Sequence, residues 1–150
     1  SIMARSTSTR RSQILDALVT KLKDINGTGD YRVNLANQVF PTMKFWDEIS
    51  TYPAVHLSAG TETREYYGGN NRWRFLTVTI RAYVNQEDPV EALCLLLEDI
   101  EYVLDNNLSI AYSDSYGSGS TAQQTVISID TDEGVLAPLG IGEMIIEVRY

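Results

Sequence analysis

Between Thr61 and Val84 the chain spells out two extended arms around Gly68-Gly69-Asn70-Asn71. Glycine and asparagine tolerate positive φ, so the arms Thr61 to Tyr67 and Arg72 to Val84 are expected to fold back on each other as a β-hairpin. In the second arm Leu76, Val78, Ile80, Ala82 and Val84 fall on one face. Trp73, Phe75, Thr77, Thr79, Arg81 and Tyr83 fall on the other, as the two-residue period of a strand requires. Neither face reads as plain solvent surface.

Two helical patterns flank this hairpin in sequence. Ile14, Leu15, Leu18, Val19, Leu22 and Ile25 recur at three- and four-residue steps within Arg10 to Ile25. Ser8 or Thr9 can cap the first turn, and Asn26-Gly27 supplies the positive φ that ends a helix. Asp88-Pro89 opens a second helix, a capping carboxylate followed by a proline whose missing N–H costs nothing at that position. It runs to about Leu104, with Val90, Leu93, Leu97, Ile100 and Leu104 in register, Leu96 and Val103 widening the stripe, and Asn106-Asn107 as the stop.

The remaining segments read as short strands and connections. Tyr31, Val33 and Leu35 alternate with polar residues, predicting a strand over Tyr31 to Val39 that Pro41 closes. Phe45 to Ile49 reads as an irregular or single-turn segment, and Tyr52-Pro53 leads into a strand from Ala54 to Ala59. Leu108 to Tyr112, Thr125 to Asp130 and Glu143 to Tyr150 are further strands. A Gly/Ser loop from Ser113 to Gln123 and a second connection from Asp132 to Gly142 separate them. Strands and helices do not alternate regularly, which argues for an α+β domain and against a doubly wound parallel sheet. Its architecture is a mainly antiparallel sheet with two helices packed on one face.

Composition narrows the function classes. The 150 residues include 12 Lys or Arg and 20 Asp or Glu, a net charge of −8, which excludes a generally basic nucleic-acid binder. One domain over residues 3–150 is expected at this length, with Ser1-Ile2 ahead of Met3 read as an expression scar. The basic, hydroxyl-rich start resembles a transit peptide superficially, but Asp16 and Asp24 in the segment that follows speak against one. A lone Cys94 can form neither an intramolecular disulfide nor a thiolate-rich zinc site, which fits a reducing cytoplasm. No run approaches the ~18 apolar residues of a membrane helix, so no membrane partner is expected.

Charge is distributed unevenly. Residues 1–25 hold five basic and two acidic side chains, whereas residues 85–150 hold one basic and thirteen acidic. The second helix carries Asp88, Glu91, Glu98, Asp99, Glu101 and Asp105 without one Lys or Arg. Glu91, Glu98, Glu101 and Asp105 form either a solvated face that keeps the protein soluble, or a face that meets a basic partner or lines a passage for a polyanion.

Catalytic constellations do not assemble. His56 is the single histidine and lies inside a strand pattern, without the orienting partner a general base needs. Gly117-Ser118-Gly119-Ser120-Thr121-Ala122 matches a dinucleotide-binding glycine pattern, but a strand rather than a helix follows it, so it reads as a loop. Asp130-Thr131-Asp132-Glu133-Gly134 looks calcium-like, yet its glycine comes fifth where an EF-hand loop needs it sixth. Arg72, Trp73, Arg74, Phe75, Arg81 and Tyr83 could stack bases, although Trp, Tyr and Arg are also the residues enriched in protein interfaces. No cofactor or metal is assigned.

The run Thr131 to Tyr150, TDEGVLAPLGIGEMIIEVRY, resembles the ending of the tail terminator (tail completion) proteins of long-tailed bacteriophages. An opening amphipathic helix, Tyr52-Pro53-Ala54-Val55 before a strand, a long hairpin, an acidic helix after Asp88-Pro89 and a closing strand extend the resemblance over nearly the whole chain. It implies a structural virion protein and no enzyme. Subunits would form a homo-oligomeric ring, typically a hexamer, that caps the tail tube at its head-proximal end, stops polymerisation and offers a docking surface to the head connector. DNA would pass through the ring, and assembly would take place in the host cytoplasm. The partners implied are the major tail tube protein and a head-completion or connector protein. Trp73, Phe75, Arg81, Tyr83, Tyr67, Gly68, Gly69, Asn70 and Asn71 then become candidates for subunit or tube contact, and the acidic helix face a candidate lumen. Other readings stay open: a related head-completion or neck protein, an adaptor docking through residues 1–11, or a divalent-cation-dependent enzyme using Asp130, Asp132 and Glu133.

Overall fold

A computed structural model describes residues 9–69, 71–114 and 117–150. Ser1-Ile2, the alternative cap Ser8, Asn70 of the hairpin turn, and Ser115 and Tyr116 of the Gly/Ser segment lie outside the described residues. The fold is the expected α+β arrangement. Helix α1 spans Arg10–Leu22, β1 Val39–Phe40, β2 Ala54–Tyr66, β3 Arg72–Asn85 and α2 Pro89–Asp105. They are followed by β4 at Ala111–Asp114, β5 at Gly117–Ser120, β6 at Gln123–Thr131 and β7 at Leu139–Arg149. A single 3-10 turn, Trp46–Glu48, lies between β1 and β2.

The main sheet has the order β1-β2-β3-β7-β6, antiparallel except for the short parallel β1–β2 pair. Its centre is β3, paired with β2 from Tyr66↔Arg72 to Ala54↔Tyr83 and with β7 from Phe75↔Arg149 to Asn85↔Leu139. The even positions of β3 from Leu76 to Val84 are buried, as are Met144, Ile146 and Val148 of β7. Both helices lie on that face. Ile14, Leu18 and Leu22 of α1 and Leu93, Leu96, Ile100 and Leu104 of α2 join those strand residues in one apolar cluster. Burial of each such side chain stabilises the fold by roughly 1.5–3 kcal/mol.

The helix ends follow from capping chemistry. Thr9 accepts from the Ser12 amide at 3.1 Å while Ser12 Oγ accepts from the Thr9 amide at 3.1 Å, a reciprocal cap. Helix α1 stops at Leu22, three residues before its apolar stripe does; Ile25 is buried in the turn beyond, and Gly27 has φ +78°. Asp88 caps α2 by accepting from the Glu91 amide at 3.3 Å, with Pro89 in the first turn. Val90 does not join the buried stripe and is 48% exposed.

Several expected elements differ. Tyr31 to Val39 is not a strand: only an Asn26–Asn34 bridge and the two residues of β1 pair. Asp99 of α2 accepts the amides of Arg32 and Val33, each at 2.9 Å, and Ala36 and Asn37 take positive φ, so the backbone turns instead of extending. The alternation of Tyr31, Val33 and Leu35 marks side chains packed on the core, not sheet pairing. Within the described part of the Gly/Ser segment, Gly117–Ser120 is not a loop but pairs antiparallel with β4, which packs against α1, and Leu108 to Ile110 lie before β4. Gly119 stands across from Tyr112, where an added Cβ would come within 2.9 Å of the tyrosine oxygen. Finally, β7 begins at Leu139 rather than Glu143, because β3 continues the ladder to Leu139, while β6 pairs as far as Gly142.

Close packing at the start of β7 predicts a measurable contrast. A Cβ on Gly140 would lie 2.8 Å from Val84 Cγ2 and 3.2 Å from the Pro89 carbonyl oxygen, whereas one on Gly142 would meet only the methyl ends of Leu93 and Leu97 at 3.1–3.3 Å. Gly140→Ala is therefore expected to cost about 1–3 kcal/mol in urea unfolding, and Gly142→Ala distinctly less, since leucine termini can rotate away and a Val84 methyl and backbone cannot. Equal costs would contradict this account.

Candidate interaction surfaces

The sheet face opposite the helices is built from the odd positions of β3 and β7. Trp73, Phe75, Thr77, Thr79 and Arg81 lie beside Ile141, Glu143, Ile145, Glu147 and Arg149, all half-buried. Arg81 donates to Glu143 at 2.7 Å across the ladder. At one end this face is covered by the segment after β1. There Tyr83 is buried and its hydroxyl donates to the Lys44 carbonyl at 2.6 Å, while His56, paired opposite Arg81, bonds through Nδ1 to the Thr42 carbonyl at 2.7 Å. Tyr83 thus supports the surface from beneath and offers no contact of its own.

His56 has a structural role. It stacks on Phe40 at 5.0 Å and meets Tyr83 edge-on at 5.9 Å. Burial, with a smaller contribution from the Lys44 charge, holds its pKa below the ordinary value. The unfolded chain therefore takes up a proton as pH drops through ~6.5, while the folded chain resists until lower pH. The stability contributed by neutral His56 is present above pH ~6.5 and is lost as pH falls. Wild type is expected to lose stability between pH 7.5 and 5.5 by more than His56→Asn does, with a slope difference of at most about 1.4 kcal/mol per pH unit. Urea titrations of both proteins at both pH values check it, and parallel pH dependences would contradict it.

The anchored segment displays two aromatic residues that the sequence analysis does not single out. Phe45 is 70% exposed and Trp46 51% exposed, adjacent to the pinned Lys44 and on the helix-free side. Adjacent large aromatics held in water by a fixed backbone are what interface anchors look like before a partner arrives. A Phe-Trp pair in an irregular stretch was the available signal.

At the other end the hairpin overhangs the sheet. Beyond the Phe75↔Arg149 pair, Tyr150 and Arg74 exchange backbone bonds at 2.9 Å, and Glu65 to Gly69 and Asn71 to Trp73 project past that point. Tyr67 stacks on Trp73 at 6.2 Å, Arg149 lies over the Trp73 ring at 4.7 Å, and Arg72 over Tyr66 at 6.0 Å. Tyr66 and Tyr67 are exposed, and the turn is closed by Asn71 donating to Gly68 at 3.2 Å, with positive φ at Gly68 and Gly69. Trp73, Phe75, Arg81, Tyr67, Gly68, Gly69 and Asn71 are thus brought to one side or tip of the sheet.

A basic cleft of about 400 Å³ lies at the base of this hairpin, lined by Arg10, Arg11, Glu62, Arg64, Arg72, Arg74 and Tyr150. Glu62 accepts from Arg64 at 2.9 Å and from the Tyr150 hydroxyl, whose pKa is pushed far above the ordinary tyrosine range by burial and by that carboxylate. Sequence reasoning missed the cleft because its residues come from α1, β2, β3 and the last residue.

On α2, Glu91, Glu98 and Asp105 are exposed and Glu101 half-buried. Glu98 pairs with Arg32, and Asp99 leaves the acidic face altogether, buried to 1% exposure with its carboxylate turned inward. Asp99 lies three residues after Leu96 and four before Val103, so helical spacing already placed it on the buried stripe. Among the described residues no group of three or more His, Cys, Asp or Glu could hold a metal ion. Asp132 accepts from the Leu136 and Ile141 amides, each at 3.2 Å, closing its own loop. No helix of the described residues is long and apolar enough to cross a membrane.

Comparison with known proteins gives one consistent result. Residues 8–150 match the family described as Bacteriophage Tail Tube Terminator Protein. Tail tube terminator protein p142 of Escherichia phage T5 is 33% identical over 149 residues, covering 93% of this chain and 92% of that protein. A chain in the solved virion of a native gene transfer agent particle superposes with a TM-score of 0.56 at 9% identity, covering 91% of this chain and 93% of that one, which shows a shared fold. With the family matched over nearly its whole length, the chain belongs to the bacteriophage tail tube terminators.

Proposed function

We propose that copies of this chain assemble as a ring, a hexamer, on the head-proximal end of the tail tube. The ring halts tube growth and presents its far side to the head-completion or connector protein, with DNA passing through its hole. The work is steric and involves no reaction. The observation that carries this reading is the helix-free sheet face with its overhanging hairpin: a half-buried surface of Trp73, Phe75 and Arg81 that continues into exposed Tyr66 and Tyr67. Such a face, aromatic and arginine-rich at its centre, suits contact with other protein. The acidic surplus suits a passage that must not hold phosphate.

The test mixes the protein with assembled tail tubes and reads negative-stain images and light scattering. Density confined to one tube end, together with arrest of further polymerisation, is expected. Shortening the turn 68–71 to two residues is expected to weaken capping while leaving the fold intact. Decoration along the whole tube, or none at any concentration, would refute the reading.

A further inference from the structure

We propose that the arginine cleft at the hairpin base receives the exposed acidic face of α2 from a second copy of this chain, so that copies join head to tail. This contact rests on the ring reading above and identifies which surfaces would make it. Five guanidinium groups, from Arg10, Arg11, Arg64, Arg72 and Arg74, line the cleft with a single carboxylate, Glu62. Both oxygens of that carboxylate are engaged within the chain, by Arg64 and by Tyr150. Guanidinium does not lose its proton in proteins, so the cleft keeps a large positive excess in a chain of net charge −8.

That excess calls for a carboxylate-rich or phosphate-rich partner, and the surroundings favour carboxylates. The rings beside the cleft are covered by the chain's own cations, Arg72 over Tyr66 at 6.0 Å and Arg74 over Tyr150 at 5.8 Å, which leaves them unsuited to stacking bases. The net negative charge also repels a long polyanion before it reaches the cleft. The same chain carries the complement. Helix α2 has no Lys or Arg, and Glu91, Glu101 and Asp105 make no ion pair among the described residues. Glu101 and Asp105, four residues apart, repel one another until a cation comes between them.

The two surfaces share no residue. The cleft is built from the start of α1, from β2 and β3 and from Tyr150, whereas Glu101 and Asp105 belong to α2. A copy can therefore give one surface and receive the other at once. Such a contact is heterologous, and its repetition closes a ring when the rotation per copy allows.

Charge reversal on the full chain tests it, read by sedimentation equilibrium of the self-association and by imaging of rings on tube ends. R64E/R72E and E101K/D105K change exposed groups and the half-buried Glu101, with Arg64 the partner of Glu62, so circular dichroism checks that both remain folded. Each variant alone is expected to weaken self-association roughly 100-fold, and mixing the two variants to restore it within about tenfold, since each then meets its complement. Rings formed equally well by either variant would overturn the proposal while leaving the ring reading intact. A wild type that stays monomeric even on tube ends would overturn both. Loss of duplex DNA binding by R64E/R72E, with assembly unchanged, would overturn it in favour of a phosphate-binding cleft.

Discussion

Replacing Asp99 by alanine is expected to cost about 3–4 kcal/mol, a large share of the 5–15 kcal/mol that holds a domain together. The carboxylate is buried to 1% exposure and accepts two backbone amides, Arg32 and Val33, from a segment with little ladder of its own. Removing it strands both donors next to the core and opens a gap against α2, so the loss exceeds that of an ordinary surface hydrogen bond. Asp99→Asn keeps one acceptor oxygen and is expected to cost about 1–2 kcal/mol. Glu98→Ala, which removes the exposed partner of Arg32, is expected to change little. Urea unfolding ranks the three. An Asp99→Ala protein within 1 kcal/mol of wild type would show that the segment 26–38 is held by its apolar side chains alone.

The same residue shows where sequence reasoning reaches its limit. Periodicity exposed the long hairpin and both helices, because in those elements a single face decides the pattern and the capping residues Thr9 and Asp88 stand where their chemistry requires. It misplaced Tyr31 to Val39, where alternation came from packing side chains and the backbone was claimed by a carboxylate 66 residues away. It also took Gly117 to Ser120 as a loop, since glycine and serine carry no strand signal; their extended form comes from pairing with Ala111–Asp114, the strand that packs on α1. The aromatic sheet face could be read from alternation. The arginine cleft and the Phe45-Trp46 display could not, the first because it is assembled from four parts of the chain, the second because exposure is decided by where Tyr83 and His56 pin the neighbouring backbone.

Trp73→Ala and Phe75→Ala are each expected to weaken binding to tube ends by about 30-fold, near 2 kcal/mol, while the protein stays folded. Both side chains are half-buried on a face without a helix, the state in which a partner removes the remaining water. Trp73 already rests between Tyr67 and Arg149, so its ring is held in place and little rotamer freedom remains to be lost on binding. Removing it also gives up those contacts, and a further loss of about 1 kcal/mol in unfolding stability is expected for Trp73→Ala. Thr77→Ala and Thr79→Ala, on the same face of β3, provide the control: small side chains contribute little, and changes below threefold are expected. Phe45→Ala and Trp46→Ala separate two arrangements of the surface. If they match the Trp73 effect, the contact runs the length of the sheet face from the pinned segment to the hairpin; if they are neutral, the partner meets the hairpin end alone. Wild-type binding by both Trp73→Ala and Phe75→Ala would remove this face as the contact surface and leave the charged surfaces to account for assembly.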